Sequence, residues 1–211
     1  MIIKSNSIGA AQSAGIPTNL SCPGCGQLGT FETLVNNSSD FILDNNIRIG
    51  ERRCPNVTCR TVVFLVWKGT EITRSYPGLR IDFDKTNIPA LVVSALEEAI
   101  TCHANECFIA AAIMIRKTLE ELCRERGAQG KDLKQRIRDL GTKIVIPKEL
   151  LDGLDDLRLL GNDAAHIESR EYDQVGKEEV EVGIEFTKEV LKATYQYSAL
   201  LNRLRGLKKT P

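Results

Sequence analysis

Two pairs of cysteines carry the clearest chemistry in this 211-residue chain. Cys22 and Cys25 are separated by two residues, Cys54 and Cys59 by four, and 28 residues lie between the pairs. A zinc ion takes four soft donors at the corners of a tetrahedron, with zinc–sulfur bonds of about 2.3 Å. Each short spacing puts two thiols on one tight knuckle, and a hairpin over Phe31–Arg53 would bring the knuckles together. The expected metal ligands are Cys22, Cys25, Cys54 and Cys59, around a structural Zn2+ with no open coordination position. Buried free thiols or two disulfides are the alternative. The segment around the cysteines also needs a metal: residues 20–80 hold few large apolar side chains, too few to offset chain entropy in so small a unit. A structural zinc ion adds roughly 10–16 kcal/mol of apparent binding free energy, which becomes folding free energy. Cys102, Cys107 and Cys123 have no knuckle spacing and read as small core residues.

A second set of polar residues lies in Leu157-Arg158-Leu159-Leu160-Gly161-Asn162-Asp163-Ala164-Ala165-His166. On a continuous helix Arg158, Asn162 and His166 fall at i, i+4 and i+8, on one face beside the small residues Gly161 and Ala165. Arginine holds phosphate well, and imidazole moves protons near neutral pH. The same residues also suit purely structural roles: Arg158 paired with Asp155 or Glu120, Asn162 ending the helix, His166 capping or hydrogen-bonded in the core. A third set, Arg48, Arg52, Arg53 and Arg60, clusters around the second knuckle. It reads either as a phosphate-contact patch or as a solvated strand face.

The elements that must position these residues follow from periodicity. Residues 1–20 are rich in Ser, Gly, Ala and Asn without a period and read as a flexible arm; 21–86 read as the ribbon; 87–211 read as helical. Strands are expected at Phe31–Val35, Ile47–Arg53, Thr61–Trp67 and Glu71–Tyr76, with a linker over 77–88. Helices are expected from Pro89 to Cys102 with Asn87 as N-cap, over 106–126, over 132–140 ending at Gly141, and from Pro147 to at least Leu160. A last long helix is expected over 177–204, with Val180, Ile184, Leu191, Tyr195 and Leu201 near helical spacing. The run Phe108–Ile115 is apolar on every side, as in a helix buried at the centre of a bundle. The fold class is α+β: a small N-terminal β zinc ribbon followed by an all-α bundle.

Composition narrows the functional classes. The chain has 28 basic and 28 acidic residues, so bulk electrostatic coating of nucleic acid is disfavoured and any such contact must come from a local patch. No run of about 18 apolar residues occurs, so no membrane span is expected. The N-terminus lacks the apolar stretch of a secretory signal, and the expected address is the cytoplasm.

Ile115-Arg116-Lys117-Thr118-Leu119-Glu120, then Leu133 to Ile137, then Leu157-Arg158-x2-Gly161-Asn162-x-Ala164-Ala165-His166 resemble the family named Domain of Unknown Function 4145, over about residues 87–200. A cysteine ribbon ahead of the bundle is similar to the arrangement in many members. The resemblance implies kinship with the HEPN superfamily of helical bundles, which often dimerise and occur in toxins, RNA-processing enzymes and phage-defence or restriction proteins. It implies a homodimer through the HEPN-like bundle, RNA or DNA as ligand, and a defence-system protein as partner. Active HEPN ribonucleases work without metal, using an Arg and a His four to six residues apart. On that pattern Arg158 would bind the scissile phosphate and His166 would shuttle the proton, with seven residues between them here. The expected role is that of a nucleic-acid-associated or defence-linked binding module, with a metal-independent endoribonuclease and a protein-interaction scaffold as alternatives.

Overall fold

The computed structural model describes residues 11–34, 39–43, 46–165 and 175–207. The chain divides into two compact units, Met1–Asp82 and Phe83–Pro211.

The first unit is built from seven strands: β1 (Ala11–Ala14), β2 (Thr18–Ser21), β3 (Leu28–Phe31), β4 (Ser39–Leu43), β5 (Ile47–Arg53), β6 (Val62–Lys68) and β7 (Glu71–Tyr76). Five form an antiparallel sheet in the order β1-β4-β5-β6-β7, and β2 pairs with β3. Residues 11–14 and 18–20, read from composition as part of an arm, therefore lie in strands. Their small and polar side chains carry no periodic apolar signal, and it is the sheet edge offered by β4 that orders the first of them. The first strand expected at Phe31–Val35 lies earlier, at Leu28–Phe31, against β2.

Alternation along β6 fixes the two faces of the sheet. Val63, Leu65 and Trp67 point into a core shared with Leu20, Cys22, Phe31 and Cys54. Arg52, Gly50 and Arg48 on β5 pair with those three residues in register. Arg48 and Arg52 thus point inward, and Ile47 and Ile49 lie on the outer face with Glu51 and Arg53, the reverse of what the Ile-Arg-Ile alternation suggests.

The second unit contains α1 (Ala90–Ala104), α2 (Phe108–Glu125), α3 (Leu133–Lys143), α4 (Lys148–Ala165), α5 (Lys177–Leu191) and α6 (Tyr197–Gly206), with a π-helical turn over Lys192–Gln196 joining the last two. Asn87 has φ 64° and does not cap α1; Pro89 occupies that position with no side-chain cap. Asp132 caps α3 by accepting from the Gln135 amide at 2.8 Å. Gly141 does not end α3. It lies within the helix, where a Cβ would come within 3.3 Å of Leu151 Cδ1, so its smallness serves packing against α4. Gly127, with φ 66°, does follow the end of α2, and the Ala128 amide returns to the Cys123 carbonyl at 2.8 Å.

α2 packs against α1, α3, α4 and α5 and buries Ala112, Ile115, Leu119 and Leu122. It is not enclosed on every side: Ile109, Ala110 and Ile113 are exposed. At the π-turn Tyr195 donates to Glu125 Oε2 at 2.6 Å, and the Arg126 guanidinium lies 4.3 Å from the Tyr195 ring while reaching the Thr194 carbonyl at 3.3 Å. The two ends of this network, α2 and the last helix, are thereby tied where the winding changes.

Candidate metal centre and the helical motif

Each knuckle follows from a backbone turn closed behind its second cysteine. In the first, the Gly26 amide donates to the Cys22 carbonyl at 2.8 Å, with Gly26 at φ 75°. In the second, the Arg60 amide donates to the Asn56 carbonyl at 3.0 Å, with Arg60 at φ 50°. The turns superpose in pattern, so Asn56 holds the place that Cys22 holds in the first, and Cys54 stands two residues further back. That is how spacings of two and four give one site.

The four sulfurs converge. Cys22 and Cys59 Sγ are 3.7 Å apart, Cys25 and Cys54 Sγ 3.9 Å, and all four lie within 4.8 Å of one another. A tetrahedron with metal–sulfur bonds of about 2.3 Å has edges of about 3.8 Å, so this donor set fits a metal ion. Cys22 and Cys54 are buried, Cys25 and Cys59 are toward solvent.

Three neighbours that sequence reasoning did not single out hold these sulfurs. The Gly24 amide donates to Cys22 Sγ at 3.4 Å, and Thr61 Oγ1 lies 3.0 Å from Cys59 Sγ. Asn56 Nδ2 donates to Gln27 Oε1 at 3.0 Å and approaches Cys25 Sγ at 3.9 Å, so one amide bridges the two knuckles. Thr61, by its hydroxyl and backbone, draws the Cys59 thiol down to about 6, whereas burial pushes the Cys54 thiol up to about 12. A bound metal would take all four as thiolates.

The arginines of the second knuckle do not form one patch. Arg52 is fully buried. Its Nη1 and Nη2 donate to the two Asp40 carboxylate oxygens at 2.8 and 2.7 Å, its Nε donates to the Ile16 carbonyl at 2.9 Å, and its guanidinium carbon sits 4.9 Å from the Trp67 ring. Arg48 shares that inward face, with Nη1 4.0 Å from Asp40. Gly50 leaves the room: a Cβ there would collide with the Asp40 carboxylate, whose Cγ would be 2.8 Å away. Arg53 is half-buried on the opposite face, and Arg60 is exposed with Nε reaching the Val57 carbonyl at 3.4 Å.

On α4 the helix does persist through Arg158 and Asn162 to Ala165, and His166 lies outside the described residues. Arg158 Nε donates to Asp155 Oδ1 at 2.6 Å on its own helix, and that guanidinium holds the Asp155 carboxyl below the usual carboxylate range. Asn162 Oδ1 accepts from Arg116 Nη1 at 2.6 Å, and Arg116 in turn pairs with Glu120 at 3.4 Å. Gly161 is the point where α2 passes: a Cβ there would stand 2.5 Å from Arg116 Cβ and 3.2 Å from the Ala112 carbonyl oxygen. The Gly-Asn pair therefore makes a close helix crossing and the hydrogen bond that locks it.

Residues 97–209, more than half of the chain, match the model of a family described as Domain of unknown function (DUF4145). The chain belongs to this family. The DUF4145 match takes in the Arg116–Asn162 crossing, the π-turn and α6, and leaves the cysteine unit outside it. No curated protein and no solved structure matches the chain. No helix among the described residues is long and apolar enough to cross a membrane.

Proposed function

We propose that the protein is a nucleic-acid-associated binding module, made of a structural zinc ribbon and a HEPN-like bundle, and that it does not cleave RNA. Four thiolates fill a zinc ion's coordination, so the metal supplies folding free energy and the cysteines hold no substrate. Two of the three polar residues on the motif's face are engaged in structure: Arg158 with Asp155, and Asn162 with Arg116.

The observation that carries the binding reading is the outer face of the five-stranded sheet. Phe64 and Tyr76 stand directly opposite each other on β6 and β7, each 56% exposed, with exposed Phe41 on β4 on the same face. Arg53 and Arg74 occupy neighbouring positions of that face. Aromatic side chains on a sheet surface with arginines beside them suit the stacking of unpaired bases, worth about 1–3 kcal/mol per base. A chain of zero formal net charge needs such stacking, because it has no bulk electrostatic attraction to supply. The exposed Ile109, Ala110 and Ile113 of α2 support a homodimer through the bundle.

The test is retention of a fluorescent single-stranded oligonucleotide by the metal-loaded protein. Phe64→Ala and Tyr76→Ala together should weaken binding about tenfold or more. Unchanged binding by the double variant sinks the reading. Cutting of RNA that His166→Ala abolishes, with folding intact, would restore the endoribonuclease.

A further inference from the structure

The last helix ends in a segment that the bundle does not use. No residue of α6 is buried, although it carries Tyr197, Leu200, Leu201 and Leu204, and Leu207 follows it. These five side chains are 48–81% exposed. Leu201, expected from its spacing to join the core, is among them. The reason lies in the winding. A π-turn takes in about one extra residue, which sets every later side chain back by about 100°. The buried series Val180, Ile184, Thr187 and Leu191 of α5 would otherwise continue toward Ser198 and Leu201. After Lys192–Gln196 Leu201 is carried away from it, and no face of α6 meets the core.

The stripe is ordered as well as exposed. Tyr197, Leu200, Leu204 and Leu207 follow one another by three, four and three residues, the seam spacing by which one helix packs along another. Leu201 broadens it on one side. Arg203 and Arg205 lie on its two borders, about 40° beyond the last apolar residue on each side for an α-helix. The sequence from Val190 to Pro211 holds five basic residues and no acidic one, in a chain whose totals are equal.

We propose that this stripe is the docking seam for an acidic amphipathic helix of a partner protein. A helix of ten residues with no buried face is marginal on its own in water, and a second helix laid along the seam would cover its leucines. Charge selects the partner. A second copy of α6 would set arginine against arginine, with no acidic residue after Glu189 to relieve it, whereas glutamates flanking a partner's seam would pair with Arg203 and Arg205. A bilayer is the poorer occupant: the stripe spans about 15 Å, and no Trp or Phe accompanies its leucines. The proposal is independent of the nucleic-acid reading, which concerns the other unit.

The experiment measures the anisotropy of two labelled helical peptides against the full-length protein. Both peptides carry Leu at the seam positions; one has Glu at the flanks and the other Lys. The acidic peptide should bind and the basic one should bind about tenfold more weakly, as expected for a few exposed ion pairs. Leu200→Glu with Leu204→Glu should abolish binding, and Arg203→Glu with Arg205→Glu should reverse the preference. All variants should keep the parent's helical circular dichroism and melting midpoint, because the stripe is not part of the core. Binding of neither peptide, equal binding of both, or a preference that survives charge reversal would overturn the proposal. So would adsorption to phosphatidylcholine–phosphatidylglycerol vesicles, or self-association, that requires the same leucines while the acidic peptide fails to bind.

Discussion

Arg52→Ala should unfold the ribbon unit at markedly lower denaturant. Arg52 and Asp40 are 0% and 1% exposed and meet in a two-pronged contact at 2.7–2.8 Å. Removing the guanidinium leaves a buried carboxylate whose nearest remaining cation is Arg48 at 4.0 Å. Stranding one member of a buried pair costs about 3–5 kcal/mol. Loss of the guanidinium stacked on Trp67 adds about 0.5–2 kcal/mol. Arg48 can move toward the vacated space, which places the expected total near 3–5 kcal/mol, a large share of a small domain's 5–15 kcal/mol. Replacing both partners with apolar residues, Arg52→Met with Asp40→Leu, should recover most of that loss, since it removes both desolvated charges. Trp67 is the chain's single tryptophan and lies in this core, so its fluorescence during urea unfolding of the metal-loaded protein reports on the ribbon and not on the helices. A single variant within about 1 kcal/mol of the parent, or a double variant no better than the single, would show that the buried pair does not hold the sheet as argued.

Stripping the metal with a chelator should shift Trp67 emission to the red while the helical circular dichroism stays, because roughly 10–16 kcal/mol of apparent zinc affinity is folding free energy for the cysteine unit alone. In the bundle, Gly161→Ala should destabilise by about 1–3 kcal/mol through the collision with Arg116 and the Ala112 carbonyl, read from thermal melts of the helical signal. Asn162→Ala should cost about 1–3 kcal/mol by the same assay, because it removes a charge-assisted hydrogen bond of Arg116 and leaves it with Glu120. Burial pushes the Cys123 thiol up to about 11, so the folded state keeps a proton that the unfolded chain gives up. That stability is complete below the unfolded value of 9.0 and is lost as pH rises toward 11, by up to about 2–3 kcal/mol, and Cys123→Ala should flatten the slope.

The four-cysteine cluster was readable because its information is local. Two short spacings name the four cysteines, and any hairpin of suitable length brings them together. Asn56 and Thr61 were not readable, since only the turn that places Asn56 opposite Cys25 gives it a bridging role. The arginines failed for a different reason. Alternation along Ile47–Arg53 tells which residues share a face but not which face is inside, and a buried Asp40 on the neighbouring strand β4 reverses the usual choice. The helices were placed by period and punctuation. Gly141 and the π-turn were misread because a glycine within a helix, or an extra residue in the winding, changes what the backbone meets in space without breaking the apolar pattern.

The Arg158–Asn162 face shows how polar residues on one helix face take part in packing. Polar residues at i and i+4 beside a glycine describe a cleft and a helix crossing equally well, and what decides is the element passing over the glycine. Here it is α2, whose Arg116 takes Asn162 as its partner. Gly161 and Asn162 of the DUF4145 segment thereby take part in packing. Two exposed apolar features of the described surface differ in chemistry: an aromatic sheet face with mixed charge, and a leucine seam bordered only by arginines. Flat aromatic rings accept any base, whereas a three-four leucine seam with one sign of charge accepts one kind of helix. Variants of Phe64 and Tyr76 should therefore leave peptide binding untouched, and variants of Leu200 and Leu204 should leave oligonucleotide binding untouched. A single substitution that weakened both would mean the two surfaces serve one ligand.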